Sequence, residues 1–320
     1  MELTFLGTGS GLPSKERNVT GLALSPDNSK SWYLIDCGEA SQHQLQYTHL
    51  SLQNLQAIFI THLHGDHCYG LPGLLDSASM SGRTQKLPLI APHAVWEWVV
   101  ATQKMNQATL PFALEFIAVE DFNGWQDHAM QVDAIPLSHR VPSYAYAFTE
   151  ITAPRLDSDK LRRDNIPQGP LWGALQHGRD VAWQNRSLRA QEYLLPALAA
   201  RKIVVGGDND QPNLLAQACA QAQVLVHEAT YTQEIWIKVG PSVQHSSAAM
   251  VANFAQEIGL PNLVLTHFSP RYQANPNRSP SIHDIEQEAC HHYHGNLYLA
   301  DDLARFHLGK DGVLLRHKGS

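Results

Sequence analysis

The residues best suited to chemistry lie in one short segment, THLHGDH, which begins at position 61. Three imidazoles and one carboxylate occur within six residues, and both groups bind zinc and similar divalent ions. The segment follows the apolar run Ala57–Ile60, so it opens a loop at the end of a predicted strand. In such a loop His62 and His64 can converge on one ion, while Asp66 and His67 turn toward a second. The spacing therefore favours a metal site over a chance group of surface histidines.

A site for two ions needs more ligands than this segment holds. Two ions about 3.5–4 Å apart require a bridging carboxylate and several imidazoles. Three further pairs place a possible ligand just after an apolar run: Ser138-His139, Gly207-Asp208 and Thr266-His267. A single histidine after a strand is more often structural, but four such positions together favour a binuclear centre with Asp208 as the candidate bridge.

The elements that must position these residues are short apolar runs alternating with helical patterns, which indicates a layered α/β fold. Candidate strands are Glu2–Leu6, Trp32–Ile35, Ala57–Ile60, Leu87–Ile90, Leu114–Val119, Met130–Ile135, Tyr144–Thr149, Lys202–Val205, Gln223–His227, Asn262–Thr266 and Asn296–Ala300. Candidate helices are Ala94–Lys104, Leu214–Ala222, Ser246–Ile258 and Ser281–His291. Gly259 is a natural stop for the third of these helices.

Composition excludes several classes of protein. The chain has 320 residues, of which 43% are hydrophobic and 17% charged, so it can bury a large core and is not disordered. Its net charge of −7 argues against coating nucleic acid through global positive charge. Neither a membrane-spanning apolar run nor a secretory signal is expected. The four scattered cysteines form no disulfide framework and fit a reducing cytoplasm.

One stretch differs from the rest of the chain. Arg155–Lys202 contains nine basic and five acidic residues, so it is locally +4 while the remainder is −11. Pro167 and Pro170 interrupt it, so it is not one continuous helix. From charge alone it is a solvated surface insertion or a basic arm that meets a polyanion.

Several long motifs, in their order along the chain, resemble the ribonuclease Z branch of the metallo-β-lactamase superfamily, the tRNA 3′-processing endonucleases. THLHGDH is similar to the superfamily's His-x-His-x-Asp-His signature. The other matching motifs are FLGTGSGLPSKERNVT (5–20), DCGEASQHQL (36–45), GLPGLL (70–75), VHEAT (226–230), HSS (245–247), THFSPRY (266–272) and, more weakly, ADD (300–302). The resemblance covers nearly the whole chain, from Met1 to about Leu303.

This resemblance implies an α/β fold of the αββα metallo-β-lactamase type, with residues 1–320 as a single domain and 151–200 as an inserted flexible arm that binds tRNA. Gly169-Pro170 matches a motif of the family's arm. The resemblance also implies two Zn²⁺ per subunit, with Mn²⁺, Fe²⁺ or Co²⁺ as alternatives. The implied ligands are His62, His64 and His139 for the first ion, Asp66, His67 and His267 for the second, and Asp208 between them.

The resemblance further implies how a phosphodiester would be cleaved. Asp66 would orient an activated water and act as general base, and His245 would supply a proton to the leaving 3′ oxygen. Glu228 would orient His245 or tune its pKa. The expected substrate contacts are Lys15, Arg17 and Asn18 in the Pro-x-Lys-x-Arg-Asn loop, Gly169 and Pro170 in the arm, and His227. A buried core histidine is the alternative interpretation of His227.

Three functions remain open at this stage. The first is an endoribonuclease that removes the 3′ trailer of precursor tRNA, as a cytoplasmic homodimer. The second is a small-molecule hydrolase of the same superfamily, acting on a phosphodiester, thioester or lactam. The third is a catalytically dead RNA-binding relative, against which the complete ligand set argues. One departure from the family pattern concerns Asn209, which follows Asp208 where a threonine is usual.

Overall fold

The structure is a computed structural model and describes residues 1–317. Its strands are β1 (Glu2–Gly7), β2 (Gly21–Ser25), β3 (Trp32–Ile35), β4 (Leu55–Phe59), β5 (Leu87–Ala91), β6 (Leu114–Ala118), β7 (Trp125–Gln126), β8 (Met130–Leu137), β9 (Ser143–Glu150), β10 (Arg155–Leu156), β11 (Val181–Trp183), β12 (Arg186–Leu188), β13 (Leu194–Leu195), β14 (Lys202–Val205), β15 (Val224–Glu228), β16 (Asn262–Thr266), β17 (Asn296–Leu299), β18 (Arg305–Leu308) and β19 (Leu314–Arg316). Its helices are α1 (Ser41–Gln44), α2 (Gly65–Cys68), α3 (Leu71–Met80), α4 (His93–Met105), α5 (Ser158–Arg163), α6 (Pro170–Gln176), α7 (Ala216–Cys219), α8 (Gln233–Val239), α9 (Ala248–Glu257) and α10 (Ile282–His292).

Two large sheets organise the body of the protein. One has eight strands in the order β19-β18-β1-β2-β3-β4-β5-β6, and the other has seven in the order β17-β16-β15-β14-β9-β8-β7. All eleven predicted strands are present, with ends that differ by no more than two residues. Since β14, β15 and β16 run parallel, their carboxyl ends meet at one edge of the second sheet.

Three apolar layers hold the sheets and helices together. Along β4, Ala57 and Phe59 face the layer between the two sheets, whereas Ile58 faces the layer under α3 and α4. This alternation follows from the two-residue period of a strand. On the other side of the molecule, α9 and α10 contribute Val251 and Ile285 to a third layer that covers the second sheet. The predicted αββα sandwich is confirmed.

Of the four predicted helices, three are confirmed and one was wrong in extent. The predicted helices corresponding to α4, α9 and α10 are confirmed, and Gly259 follows α9 with a left-handed φ of +64°. The prediction over Leu214–Ala222 was wrong in extent, because Pro212 starts a 3₁₀ turn and only Ala216–Cys219 forms an α-helix. The longer α3 was not predicted, although proline is tolerated in the first turn of a helix, where Pro72 lies.

Most of the basic stretch forms a small unit between β9 and β14, which we call the arm (residues 151–200). Arg201 and Lys202 lie outside it, so the arm has seven basic and five acidic residues. It contains α5, α6, the short hairpin β11–β12 and a two-stranded antiparallel sheet formed by β10 and β13. These elements enclose an apolar cluster that includes Leu161, Trp172, Leu175, Leu188 and Tyr193. The prediction that this stretch is not one continuous helix is confirmed. Its tRNA-binding role and the single-domain assignment stay predictions, and positions 318–320 lie outside the described residues.

A partly buried ion pair closes the base of the arm, where the chain leaves the body and returns to it. Glu150 N–H donates to the Arg201 carbonyl at 2.8 Å, and the Arg201 guanidinium donates to both oxygens of Glu150 at 2.9 and 2.7 Å. The same guanidinium lies 2.9 Å from Asp27 in the body. We call this Glu150–Arg201 contact the neck. Within residues 1–317, no helix is long and apolar enough to cross a membrane.

Candidate metal centre

The seven predicted ligands come from strand ends of both sheets. His62 and His64 follow β4, and α2 begins at Gly65 and carries Asp66 and His67. The remaining three ligands follow β8, β14 and β16, in that order: His139, Asp208 and His267. Because the carboxyl ends of these strands lie at one edge of the sandwich, the side chains converge there.

One group of ring nitrogens forms around His64. Its Nδ1 lies 3.1 Å from His62 Nε2 and 3.1 Å from His139 Nε2. Two imidazole nitrogens bound to one tetrahedral zinc ion at about 2.0–2.1 Å would lie roughly 3.3 Å apart. The spacing within this group therefore fits ligands arranged around one ion.

A second group lies deeper in the sandwich. His67 Nε2 is 3.1 Å from His267 Nε2, and Asp66 Oδ2 is 3.3 Å from the same His267 nitrogen. His67 and His267 are 1% and 2% exposed, so the protein encloses this group almost completely. His267 has a left-handed φ of +58°, a conformation that costs energy for a non-glycine residue and is typical of functional sites.

Asp208 connects the two groups. Its Oδ2 lies 3.5 Å from His62 Nε2 and 3.6 Å from His139 Nε2, whereas its Oδ1 lies 3.3 Å from both His67 and His267. Asp208 Oδ1 is buried and has no hydrogen-bond partner among residues 1–317. A buried, unsatisfied carboxylate oxygen aimed at ring nitrogens is unfavourable unless a cation neutralises it. The donor set therefore fits metal ions.

Burial and neighbouring charges within the protein set the protonation states of four of these ligands. Burial, reinforced by the neighbouring His67, lowers the pKa of His62 to about 4, and burial also lowers the pKa of His139. Both rings are then neutral near pH 7, the form that binds metal. Although burial opposes it, His67 holds the pKa of Asp66 below its ordinary value, and His267 likewise holds the pKa of Asp208 well below its own. Both carboxylates are therefore anionic.

Two residues that support the ligands were not predicted as site residues. The Asp36 carboxylate lies 2.7 Å from His67 Nδ1 and accepts the Thr61 backbone N–H at 2.8 Å. Thr230 Oγ1 lies 3.0 Å from His267 Nδ1. Such contacts fix the orientation of a ligand ring and the nitrogen that carries its proton. Asp36 directly follows β3, so the strand-end rule used for the ligands would also have found it.

The predicted acid and its partner lie beside the centre. His245 Nδ1 is 3.0 Å from Glu228 Oε1 and 3.8 Å from Asp208 Oδ2. Burial disfavours the charged ring, but the carboxylates of Glu228 and Asp208 outweigh it and raise the pKa of His245 to about 9. The ring therefore carries a proton near neutral pH, with Glu228 holding Nδ1.

His227 lies apart from this group and is fully buried. Its Nδ1 is 2.8 Å from the Glu228 carbonyl, which can only accept, so Nδ1 donates. Its Nε2 then accepts from Asn209 Nδ2 at 3.1 Å. Both ring nitrogens are engaged inside the protein, as in the core-histidine interpretation, and substrate contact by His227 stays a prediction.

The predicted Pro-x-Lys-x-Arg-Asn loop lies against the ADD loop. Lys15 is exposed, whereas Arg17 donates to Thr8 Oγ1 at 2.6 Å and to the Ala300 carbonyl at 2.7 Å, and pairs with Asp301 at 2.9 Å. Arg17 and Phe268 also line a cleft of about 410 Å³. Arg17 is thus held by internal contacts, and only Lys15 is free to extend into solvent.

Two contacts link this loop to the body and to the centre. Asn18 Nδ2 donates to the Glu39 carbonyl at 2.8 Å. Gly11 N–H donates to Asp66 Oδ2 at 2.6 Å, which links the loop directly to a predicted ligand. In the arm, Gly169 has a φ of +146° and precedes Pro170, the first residue of α6. RNA contact by these residues stays a prediction.

Comparison with known proteins identifies relatives over the full chain. Residues 1–155 match a family model described as anti-Pycsar protein Apyc1. The chain is 52% identical to ribonuclease Z of Pseudomonas putida (strain W619) over 320 residues, covering 100% of both chains. It is 53% identical to ribonuclease Z of Marinobacter nauticus, covering 97% of each chain. It is 37% identical to ribonuclease BN of Proteus mirabilis, covering 96% of this chain and 100% of the relative.

Solved structures agree with this result. Human tRNase Z, short form, aligns with a TM-score of 0.66 and 25% identity, covering 97% of this chain and 100% of the human one. A diphosphatase of the PhnP family aligns with a TM-score of 0.60 at 15% identity, covering 96% and 98% of the two chains. At that identity the second likeness shows the fold alone.

Proposed function

The chain belongs to the ribonuclease Z family, and on that premise we propose that it is a dimetal endoribonuclease that removes the 3′ trailer of precursor tRNA. The observation that carries the proposal is the position of Asp208, whose two carboxylate oxygens face two separate groups of ring nitrogens. A bridging carboxylate between two metal ions is the arrangement that in-line phosphodiester cleavage uses.

We propose two Zn²⁺ per subunit, with Mn²⁺, Fe²⁺ or Co²⁺ as chemically acceptable replacements. His62, His64 and His139 would hold the first ion, Asp66, His67 and His267 the second, and Asp208 both. When bound, such ions favour the deprotonated form of a water and offset charge that develops on the phosphoryl oxygens. All other steps are assigned to side chains of this protein.

Asp66 is the proposed general base. Its Oδ2 accepts from Gly11 N–H and lies 3.3 Å from His267, so we assign its other oxygen, Oδ1, to the attacking water. An anionic carboxylate can orient that water and accept its proton. The Gly11 contact fixes the carboxylate plane while this transfer occurs.

His245 is the proposed general acid. Glu228 holds Nδ1 at 3.0 Å, which leaves Nε2 to protonate the leaving 3′ oxygen of the tRNA. Glu228 itself is 2% exposed and also accepts the Asn209 backbone N–H and the Thr230 hydroxyl, so its orientation is fixed. We therefore assign Glu228 a positioning role rather than contact with RNA.

RNA would be bound at two places. The cleft beside Arg17 and Phe268 adjoins the segment that carries His267 and has room for one nucleotide near the scissile bond. The arm supplies the positive charge that the body, with its net negative balance, does not. Lys15, Gly169 and Pro170 are the proposed contacts on these two surfaces.

The proposal also includes a cytoplasmic location and a homodimer. The four cysteines at positions 37, 68, 219 and 290 are unpaired, which a reducing compartment permits. A homodimer would let the arm of one subunit serve the centre of the other. Sedimentation of the purified protein across a range of concentrations tests the dimer directly, and a single species at the monomer mass would contradict it.

The deciding experiment is cleavage of a 3′-extended precursor tRNA with added Zn²⁺ or Mn²⁺. Asp66→Ala runs beside the natural protein, and Asp121→Ala, which removes an exposed carboxylate outside the centre, is the matched control. A small phosphodiester, bis(p-nitrophenyl) phosphate, runs in parallel.

The expected result is a single cut at the 3′ side of the mature tRNA, lost in Asp66→Ala and kept in Asp121→Ala. Turnover of the small phosphodiester without any tRNA cut would retain the dimetal chemistry and refute the tRNA assignment. RNA binding without hydrolysis of either substrate would instead identify a catalytically dead relative.

A further inference from the structure

The geometry points to Asn209 as a positioning residue for the proposed reaction. We propose that it connects the segments that carry His139, Asp208 and His245, and so sets the shape of the metal centre. This inference rests on the proposed function. It concerns one position at which the chain departs from the family pattern, since asparagine stands where a threonine is usual.

The backbone of Asn209 connects Asp208 to the acid. Its N–H donates to Glu228 Oε1 at 2.9 Å, the same oxygen that lies 3.0 Å from His245 Nδ1. Its carbonyl accepts the Ser246 hydroxyl at 2.6 Å, and Ser246 directly follows His245. The proposed bridging carboxylate and the proposed acid are therefore both linked to the backbone of Asn209.

The side chain of Asn209 connects two further segments. Its Oδ1 accepts the backbone N–H of Ser138 at 3.3 Å and that of Gln211 at 3.1 Å. Because Ser138 directly precedes His139, this contact ties a predicted ligand of the first ion to the loop that carries Asp208. Its Nδ2 donates to His227 Nε2 at 3.1 Å.

The side-chain amide of Asn209 is both an acceptor and a donor in these contacts, and only one orientation of the amide allows all of them. His227 Nδ1 must donate to the Glu228 carbonyl, so His227 Nε2 must accept, and the NH₂ end of Asn209 must face it. The carbonyl end then faces the two backbone N–H groups. Asn209 is 0% exposed, so no solvent replaces a lost contact.

A shorter side chain cannot make all of these contacts. A threonine hydroxyl has one hydrogen to donate and cannot reach both His227 and the two backbone N–H groups from the same Cβ. Alanine removes every side-chain contact while leaving both backbone bonds in place. Comparing the two substitutions therefore shows whether an effect at position 209 follows the number of side-chain hydrogen bonds that are lost or only the space that the side chain fills.

The test uses Co²⁺ as a spectroscopic probe. The metal-free full-length protein and its Asn209→Ala and Asn209→Thr variants are titrated with Co²⁺, and affinity and visible absorption spectrum are recorded. Asn213→Ala, which removes an exposed amide in the same loop, is the matched control. Removing a group that orients a ligand lowers metal affinity by about 10–100-fold. For Asn209→Ala we expect a loss of Co²⁺ affinity in this range and a changed absorption spectrum. For Asn209→Thr we expect a smaller loss of affinity, and for Asn213→Ala we expect no change in affinity or spectrum.

Kinetics provide a second readout. With precursor tRNA, kcat should fall in the same order while KM stays constant, because Asn209 orients the centre and does not touch RNA. Asn209→Ala with the natural Co²⁺ affinity and spectrum would overturn the proposal. If that variant does not fold, Asn209→Thr decides, and natural affinity and spectrum there would overturn it equally. Co²⁺ binding needs no RNA, so a natural protein that fails to cut tRNA refutes only the proposed function.

Discussion

The candidate metal centre draws its side chains from positions 62 to 267, whereas the apolar cluster of the arm draws its side chains from positions 156 to 194. The centre is largely buried at one edge of the sandwich, and neighbouring segments of the body hold it in place. The arm meets the body at the neck, where Glu150 pairs with Arg201. The proposed chemistry and the arm's share of the proposed RNA binding are therefore carried by units that a mutation can affect one at a time.

The largest effect should come from the centre. Among residues 1–317, Asp208 is the side chain that faces both groups of nitrogens. Its replacement by alanine removes several kcal/mol of charge stabilisation, which corresponds to roughly a 10³-fold fall in kcat. Affinity for precursor tRNA, measured by filter binding, should stay as in the natural protein, because the two proposed RNA-binding surfaces, the arm and the cleft beside Arg17, are untouched. An equal loss of RNA affinity would show that the two units are not separate.

A smaller effect should follow from removal of the arm. Because β9 and β14 are antiparallel neighbours, with Thr149 opposite Lys202, a two-residue Asn-Gly turn can replace residues 151–200. We expect kcat/KM for precursor tRNA to fall about 10²-fold and to depend less steeply on salt, since phosphate contacts are lost. Turnover of bis(p-nitrophenyl) phosphate should be unchanged. A parallel loss of that turnover would contradict the comparison.

A single substitution can separate the shape of the arm from its charge. Trp172 packs in the arm cluster and donates from Nε1 to the Ile166 carbonyl at 3.1 Å. Trp172→Ala should cost about 3–5 kcal/mol, enough to unfold so small a cluster. The unfolded arm keeps its positive charge, so kcat/KM should fall by less than on removal of the arm. Limited proteolysis should then cut the arm and leave the body intact.

The smallest effect on activity is expected at the neck, where pH provides the measurement. Burial favours neutral Glu150, but bonds from Arg201 and Lys310 outweigh it and lower its pKa to about 2. Since the folded-state pKa lies below the unfolded value, the neck stabilises the fold fully above about pH 4.5, and this contribution is lost as pH falls toward 2.

Glu150→Gln should therefore destabilise the protein at pH 7 by about 1.5–3 kcal/mol, the range for a hydrogen bond to a charged group. Urea denaturation at pH 7 and pH 3 measures the difference between the natural protein and the variant, which should shrink at the lower pH. Cleavage of precursor tRNA should be nearly unchanged. A difference that grew on acidification would contradict the sign of the shift.

Much of the centre was predictable because its ligands obey one rule. Each predicted ligand segment follows an apolar strand, and in a layered fold such ends share an edge. The resemblance then supplied His245 and Glu228, which the structure brings within 3.0 Å of each other. The supporting contacts of Asn209 were not predictable, because hydrogen bonds between distant segments leave no pattern in the local sequence.

The arm was predictable in its charge and not in its shape. Its short helices and its strands of two or three residues are too short for a period of 2 or 3.6 to appear. Trp172 and Tyr193 therefore gave no sign that they pack together. In the body, α3 was not predicted for a related reason. Pro72 lies in its first turn, and a proline there has the same local sequence signature as a proline in a loop.

The pairing of β1 with β18 determines when the first sheet can be completed during synthesis on the ribosome. Glu2 lies opposite His307, so the sheet that carries His62 stays open until almost the whole chain has emerged. At about 5–20 residues per second, this interval lasts tens of seconds. His267, which completes the deeper group, also emerges late. The nascent chain therefore holds an incomplete nuclease until His307 has emerged, and we expect no cleavage activity before that point.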